Sequence, residues 1–132
     1  SAFGSAACTT DTDQLFTTDV QTTSVATYQL NNATTSIPSN TYPGTPSNIT
    51  YAAGKFGNAA VFNGSSSGIN LPSSLNTNVI DATGAFSISM WINANDISTV
   101  QYLFCSNTSN NVDLGINSNG QGVGKIVWTY GF

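Results

Sequence analysis

The strongest constraint on the fold of this chain is a stretch of eight residues, 86–93, in which apolar and polar side chains alternate. The apolar residues at every second position are Phe86, Ile88, Met90 and Ile92. The residues between and after them include Ser87, Ser89 and Asn93. Because successive side chains of a β-strand point to opposite faces of a sheet, the pattern predicts a strand over residues 85–93 with one apolar face.

Several other short stretches read as strands separated by turns. These predicted strands cover residues 25–30, 48–52, 59–63, 100–105, 112–116 and 125–130. The dipeptide Asn63-Gly64 predicts a tight turn, because both residues tolerate positive φ. Residues 31–47 predict a long loop, and residues 72–84 predict another loop with a helical turn around Ser73–Leu75. Short strands with frequent turn signals and no helical period favour an all-β, antiparallel fold.

Charge is scarce in this chain and excludes several classes of partner. Of 132 residues, 51 are Ser, Thr or Asn and only 6% are charged. The chain has six Asp and two cationic residues, Lys55 and Lys125, which give a net charge of −4. Phosphate neutralisation and attraction to anionic lipid both need basic clusters, so no nucleic acid partner is expected. No apolar run approaches the roughly 20 residues of a membrane span, so no membrane insertion is expected.

A resemblance to a known family lies in residues 54–93. The sequence Gly-Lys-Phe-Gly-Asn-Ala-Ala-Val-Phe-Asn-Gly-Ser-Ser-Ser, followed by Ile-Asn-Leu-Pro and Phe-Ser-Ile-Ser-Met-Trp-Ile, resembles the laminin-G-like, concanavalin A-like jelly-roll family. More narrowly, it is similar to copies in bacteriophage virion proteins, such as tail fibre and decoration proteins, and in bacterial surface proteins. The resemblance implies a two-sheet antiparallel sandwich over residues 25–132 and an adhesive role on a virion or extracellular appendage.

The two ends of the chain bear on assembly. The Thr-rich residues 1–24 predict either an N-terminal arm that docks onto a neighbour or a flexible linker. Domains of the family usually have further strands after the one that matches residues 125–130, whereas this sequence stops at Phe132. It is therefore either a short version of the sandwich or one whose C-terminal part lies outside the sequence. An open strand edge and low surface charge together predict a homo-oligomer.

Catalysis is not expected from these residue types. The concanavalin A-like sandwiches include glycoside hydrolases, which mostly use two carboxylates about 5–10 Å apart. The sequence contains no Glu and no His, and the acidic strand motif of the hydrolase relatives is absent. Without His, neither a catalytic triad nor a Cys–His pair can form.

A calcium site is one candidate, because some laminin-G-like domains carry Ca²⁺ at one rim of the sandwich. Calcium takes six to eight oxygen ligands, and Asp96 and Asp113 could contribute carboxylates from neighbouring loops. The alternative is that both Asp residues serve local turn chemistry. The sequence favours the alternative, and no other cofactor is expected.

Carbohydrate binding is the other candidate, since aromatic faces flanked by amides and hydroxyls stack on sugar rings. The candidate residues are Trp91, Trp128, Tyr130, Tyr42 and Tyr102. For each Trp taken singly, burial in the core is the competing interpretation. The predicted function is adhesion to a cell-surface glycan or receptor, and the alternative is a purely structural decoration or fibre subunit that contacts other virion proteins.

The sequence contains two cysteines, Cys8 and Cys105, which could form one disulfide. A disulfide between them would close a long loop and would require an oxidising compartment. The alternative is two free thiols, with Cys105 packed as a small hydrophobic residue.

Overall fold

The computed structural model of the chain describes residues 24–81, 85–106, 112–117 and 120–130. The chain divides into two compact units, Ser1–Leu75 and Asn76–Phe132. The described residues form strands in small antiparallel sheets with little helix, which is the all-β character predicted from the sequence. The predicted N-terminal arm lies outside the described residues, apart from Ser24.

The first unit contains two antiparallel strand pairs. Its strands are β1, Thr45–Ser47; β2, Thr50–Ala53; β3, Asn58–Val61; and β4, Gly68–Asn70. β1 pairs with β4, and β2 pairs with β3 as a hairpin. The strands predicted at residues 48–52 and 59–63 are therefore confirmed as β2 and β3, with their ends shifted by one or two residues.

A short turn joins β2 to β3, and the Asn31 side chain binds the first residue of β3. Between β2 and β3, the Gly54 amide donates to the Gly57 carbonyl oxygen at 2.8 Å, and Gly57 has a φ of 67°. The Asn31 Oδ1 atom accepts a hydrogen bond from the Asn58 amide at 3.1 Å. Positive φ is open to glycine because it has no Cβ, so Gly57 lets the chain reverse within this short connection.

After β3, the predicted turn at Asn63-Gly64 is confirmed. Asn63 Oδ1 accepts hydrogen bonds from the backbone amides of Ser65, Ser66 and Ser67 at 2.9, 2.9 and 3.0 Å. Gly64 has a φ of 74°. An Asn side chain that binds amides further along the chain replaces the sheet ladder locally, so the strand ends before the turn.

The strand predicted at residues 25–30 is wrong. The structure has only an isolated bridge there, between Thr27 and Ile37, with two backbone hydrogen bonds of 3.0 Å. The residue after Ile37 is Pro38, which has no amide hydrogen to extend the ladder. At the other end, Leu30 adopts a left-handed φ of 56°, which interrupts the extended backbone.

The second unit is built around a three-stranded meander. The first unit ends with a short helix α1, Ser73–Leu75, which confirms the predicted helical turn, and the second unit begins with a π-helical segment, Asn76–Asp81. The strands that follow are β5, Gln101–Cys105; β6, Val112–Ile116; and β7, Ile126–Tyr130. Their order is β5-β6-β7, and all three were predicted to within one residue.

The central strand of the meander carries the core of this unit. Val112 and Ile116 are almost fully buried, and both lie on β6. Along β5 the register shifts between Tyr102 and Phe104, which leaves Leu103 as an extra residue. β6 is paired on both sides, so the neighbouring strands shield its side chains from solvent more than they shield those of the outer strands.

The strand predicted at residues 85–93 is wrong, although part of its pattern survives. Residues 85–94 are assigned to no strand. Phe86 and Ile88 are half-buried and the serines beside them are exposed, as the alternation predicted, but Met90 and Ile92 are exposed. Alternation specifies which side chains share a face, yet it does not supply a neighbouring strand, and only hydrogen bonding to a neighbour makes a ladder.

Candidate functional site

The site begins with a pair of aromatic rings on the outer strand of the meander. Trp128 lies in β7, opposite Leu114 of β6, and 48% of its surface is exposed. The ring of Phe86 lies 5.8 Å from the Trp128 ring, measured between centroids, at an interplanar angle of 43°. Tilted pairs at this separation attract each other through their quadrupoles. Phe86 thus supports an indole ring that remains half-exposed.

An open groove of about 600 Å³ runs along this strand. Its lining residues are Gln121, Lys125, Ile126, Val127, Trp128 and Thr129. We call this surface the β7 groove. Its lining includes an indole ring, an amide, an ammonium and a hydroxyl group, although Val127 and Thr129 lie on the face of β7 opposite Trp128. Apolar surface with a few polar groups is the usual composition of a small-molecule site.

The turn before β7 holds the basic end of the groove in place. The Asn117 amide donates to the Lys125 carbonyl oxygen at 3.0 Å, and the Gly124 amide donates to the Ile97 carbonyl oxygen at 3.1 Å. Within the described part of the chain, Lys125 is exposed and its ammonium has no ion pair. The backbone of Lys125 is therefore fixed while its charge faces solvent.

Asn117 is a residue of this region that sequence reasoning missed. Its surface is only 7% exposed, and its φ is 56°. Its Nδ2 atom donates to the carbonyl oxygens of Ile97 and Thr99, the latter at 3.1 Å. Its Oδ1 atom has no hydrogen-bond partner among the described residues. An Asn directly after a strand and before a Gly-rich turn is the available signal for such a residue, since Asn tolerates left-handed φ.

Two of the other predicted sugar-binding residues, Tyr102 and Tyr42, differ from Trp128 in sheet face or in burial. Tyr102 is exposed on β5, but it pairs with Gly115, which pairs in turn with Val127, so Tyr102 lies on the sheet face opposite Trp128. Trp91 is 67% exposed in the segment that was predicted as a strand. Tyr42 is buried in the first unit, where its amide donates to Ser36 Oγ at 3.0 Å, so its ring offers no open face. The Tyr130 backbone ends β7, and its side chain lies outside the described structure.

The carboxylate of Asp96, a residue predicted as a calcium ligand, accepts the hydrogen bonds of a local turn. Its Oδ1 atom accepts hydrogen bonds from the Ser98 amide at 2.7 Å and the Ser98 hydroxyl at 2.6 Å, and its Oδ2 atom accepts from Thr99 Oγ1 at 2.6 Å. The hydrogen bonds from Ser98, followed by those from Thr99, lower the pKa of Asp96 to about 2. This is the turn chemistry that competed with the calcium interpretation.

Asp113, the second predicted calcium ligand, lies within β6 and not in a loop. It is half-buried and pairs across the sheet with Cys105 and Thr129. The described residues contain no group of three or more His, Cys, Asp or Glu side chains that could hold a metal ion. Cys105 is exposed with a free thiol, and Cys8, its predicted alternative partner, lies outside the described residues.

Comparison with known proteins leaves the family of this chain open. No family model, no curated protein and no solved structure matches it. The resemblance of residues 54–93 to laminin-G-like domains therefore stays a prediction. In the described part of the chain, no helix combines the length and the apolar character needed to cross a bilayer.

Proposed function

We propose that this protein is a non-enzymatic adhesion module that binds carbohydrate through the β7 groove. The observation that carries the proposal is the half-exposed Trp128 ring, which is supported by Phe86 and lies in a groove whose lining includes polar side chains. The C–H faces of a sugar ring are apolar and can cover an indole ring, while its hydroxyls need hydrogen-bond partners. Gln121, which lines the same groove, carries a group of that kind.

The proposal includes a laminin-G-like jelly-roll sandwich on a virion or extracellular appendage. The sequence pattern of residues 54–93 supports it, and the antiparallel strands with little helix are consistent with it. An open groove gives weak binding to each sugar. Many copies on one particle would raise the total affinity, because linked sites bind at a high effective concentration.

The non-enzymatic part of the proposal is supported by the residue types near the groove. None of its lining residues is Asp, Glu, His or Cys. The pair of carboxylates that most glycoside hydrolases use is therefore not among these lining residues. Stacking and hydrogen bonding need none of them.

The test is saccharide binding to the wild-type protein and to Trp128→Ala, first on a glycan array and then by calorimetric titration of the best ligand. We expect the variant to lose about tenfold or more in affinity, which corresponds to about 1.4 kcal/mol. Phe62→Ala is the matched control, because Phe62 is 50% exposed but belongs to the first unit. Equal affinity of wild type and Trp128→Ala for every glycan would refute the proposal.

A structural role as a decoration or fibre subunit is the second candidate, and the position of β7 favours it. In the described sheet, β7 has β6 as its strand neighbour on one side only. Outer strands can accept a further strand from another chain through backbone hydrogen bonds. In this case we expect a repeating homo-oligomer with β7 at the subunit boundary.

Sedimentation of a charged variant tests this second role. Ile126→Lys places a charge on an exposed position of β7, and Val123→Lys places the same charge on an exposed position of the preceding turn. Lysine on an outer strand opposes strand addition. We expect Ile126→Lys, but not Val123→Lys, to dissociate the oligomer. A wild-type protein that sediments as a 13.7 kDa monomer at high concentration would exclude the role.

A further inference from the structure

We infer that Asn63 is a site of self-modification, at which the turn promotes loss of the side-chain amide as ammonia and directs the product to aspartate. The inference does not depend on saccharide binding, because Asn63 belongs to the first unit and the β7 groove to the second. It begins from the dipeptide Asn63-Gly64. Glycine has no Cβ to hinder the approach of its own backbone nitrogen to the preceding side chain.

The reaction needs only water besides the chain itself. The Gly64 nitrogen loses its proton to solvent hydroxide and forms a bond to Cγ of Asn63, while the carbonyl electrons move onto Oδ1. When the carbonyl forms again, the bond between Cγ and Nδ2 breaks, and Nδ2 takes a proton from water and leaves as ammonia. Water then opens the succinimide ring. Attack at Cγ gives aspartate, and attack at the backbone carbonyl carbon gives isoaspartate.

Hydrogen-bond donors surround the Asn63 oxygen that gains negative charge in the first step. The Oδ1 atom accepts hydrogen bonds from the amides of Ser65, Ser66 and Ser67 at 2.9, 2.9 and 3.0 Å. The Ser65 hydroxyl donates to the same oxygen at 3.3 Å. Hydrogen bonds to an ionised oxygen are stronger than those to a neutral one, so fixed donors stabilise the tetrahedral intermediate more than the starting amide. We therefore expect the folded turn to accelerate the reaction.

The attacking nitrogen and the leaving nitrogen are both suitably placed. Among the described residues, the Gly64 amide donates no hydrogen bond, so the attack breaks none. Nδ2 of Asn63 donates to Ser66 Oγ at 3.0 Å, which keeps Oδ1 turned toward the backbone amides. Asn63 and Gly64 are exposed, and no atom beyond the chain neighbours of Gly64 lies within 4 Å of the position that a Cβ would take there. Water therefore has access to the site.

The same donors favour one of the two hydrolysis products. Hydrogen bonds to Oδ1 draw electrons away from Cγ, so water attacks Cγ more readily than the backbone carbonyl carbon. Aspartate keeps an acceptor oxygen for the three amides and adds a negative charge to them. Isoaspartate adds a methylene group to the backbone and moves the acceptor away from these donors. The product that retains the turn is thus the product that the turn selects.

The experiment incubates the wild-type protein in buffer and in guanidinium chloride, at one pH and one temperature. Peptide mass spectrometry measures the loss of ammonia, and fragmentation distinguishes aspartate from isoaspartate. Asn119-Gly120, outside the described residues, repeats the dipeptide and serves as a reference in the same sample. We expect folding to raise the rate at Asn63 about tenfold, less than the roughly hundredfold effect of one donor in an enclosed active site, because the turn is exposed. Folding should also raise the ratio of aspartate to isoaspartate at Asn63.

A pair of variants at Ser65 tests the role of the backbone donors. Ser65→Pro removes one amide hydrogen, whereas Ser65→Ala loses the hydroxyl and keeps that amide. With each variant compared with its own unfolded chain, we expect only Ser65→Pro to lose most of the acceleration and of the preference for aspartate. Circular dichroism checks the fold of both variants, and the wild-type comparison alone decides if Ser65→Pro does not fold.

Several results would overturn the inference. One is a rate at Asn63 that is the same or lower in the folded protein than in the unfolded chain. Another is a product ratio that folding leaves unchanged. An equal acceleration at Asn63 and Asn119, or equal effects of Ser65→Pro and Ser65→Ala, would show that the Asn63 turn is not the cause.

Discussion

The Phe86 ring packs on the Trp128 ring at 5.8 Å, so the alternating segment contacts the outer strand of the meander without forming a strand of its own. We expect Phe86→Ala to lower the free energy of unfolding by about 1–3 kcal/mol, because Phe86 is half-buried and an aromatic pair adds about 0.5–1.5 kcal/mol beyond area burial. Urea unfolding measures this loss, and saccharide affinity should fall less than in Trp128→Ala.

A double-mutant cycle isolates the ring contact from the rest of that loss. The coupling between Phe86→Ala and Trp128→Ala should be about 0.5–1.5 kcal/mol if the pair interacts as the structure has it. Phe86→Leu keeps apolar bulk without the ring and serves as the matched control. Additive effects of the two alanine substitutions would contradict the contact.

The sequence could predict strands wherever local pattern and pairing agree. β6 is the clearest example, because Val112, Leu114 and Ile116 fall at every second position and its neighbours in sequence, β5 and β7, also pair with it. Residues 85–93 carry an equally clear alternation, but none of the described strands pairs with them. The period of a sequence pattern does not show whether another strand will pair with the segment.

The sequence could predict Trp128 as a candidate binding residue, but it could not predict the residues that surround Trp128 in the structure. Trp128 was proposed because a Trp beside polar residues suits a sugar face. Phe86 is 42 positions away in sequence, and no local pattern indicates that the two rings meet. Lys125 was predicted only as part of a strand, and its place in the groove depends on the turn that Asn117 closes.

The Asn63 turn should depend on one side-chain oxygen. Asn63→Ala removes the acceptor of three backbone amides, and we expect a loss of about 0.5–2 kcal/mol, the range found when a helix loses a comparable Asn cap. Asn63→Asp keeps the acceptor and is the control, with stability close to that of wild type. Equal losses in both variants, measured by thermal and urea unfolding, would show that the oxygen is not what stabilises the turn.

The Asp96 turn predicts a pH dependence. The folded pKa of about 2 is below the ordinary value of 3.8, so the carboxylate contributes stability above pH 4 that is lost as the pH falls from about 4 to about 2. We expect Asp96→Ala to be less stable than wild type at pH 7, and the difference to shrink across that window. Asp96→Asn, which keeps one acceptor oxygen without the charge, should fall between them. A difference between wild type and Asp96→Ala that is the same at pH 7 and pH 2 would contradict this assignment.

Asn117 should be the most sensitive single position of the β6–β7 connection, because it combines left-handed backbone with two part-buried side-chain hydrogen bonds. Asn117→Ala loses both side-chain hydrogen bonds and places an alanine in left-handed backbone. We expect the backbone to lower the free energy of unfolding by about 1–2 kcal/mol, and the carbonyl oxygens left without a donor to lower it by about 1–3 kcal/mol. Asn117→Gly relieves the backbone cost and isolates the side-chain loss. Asn117→Asp would place a carboxylate against the Ile97 and Thr99 carbonyl oxygens and should destabilise most. Urea unfolding of the three variants should therefore give stability in the order Gly, Ala, Asp, and an Asp variant as stable as wild type would contradict the hydrogen-bond arrangement around Asn117.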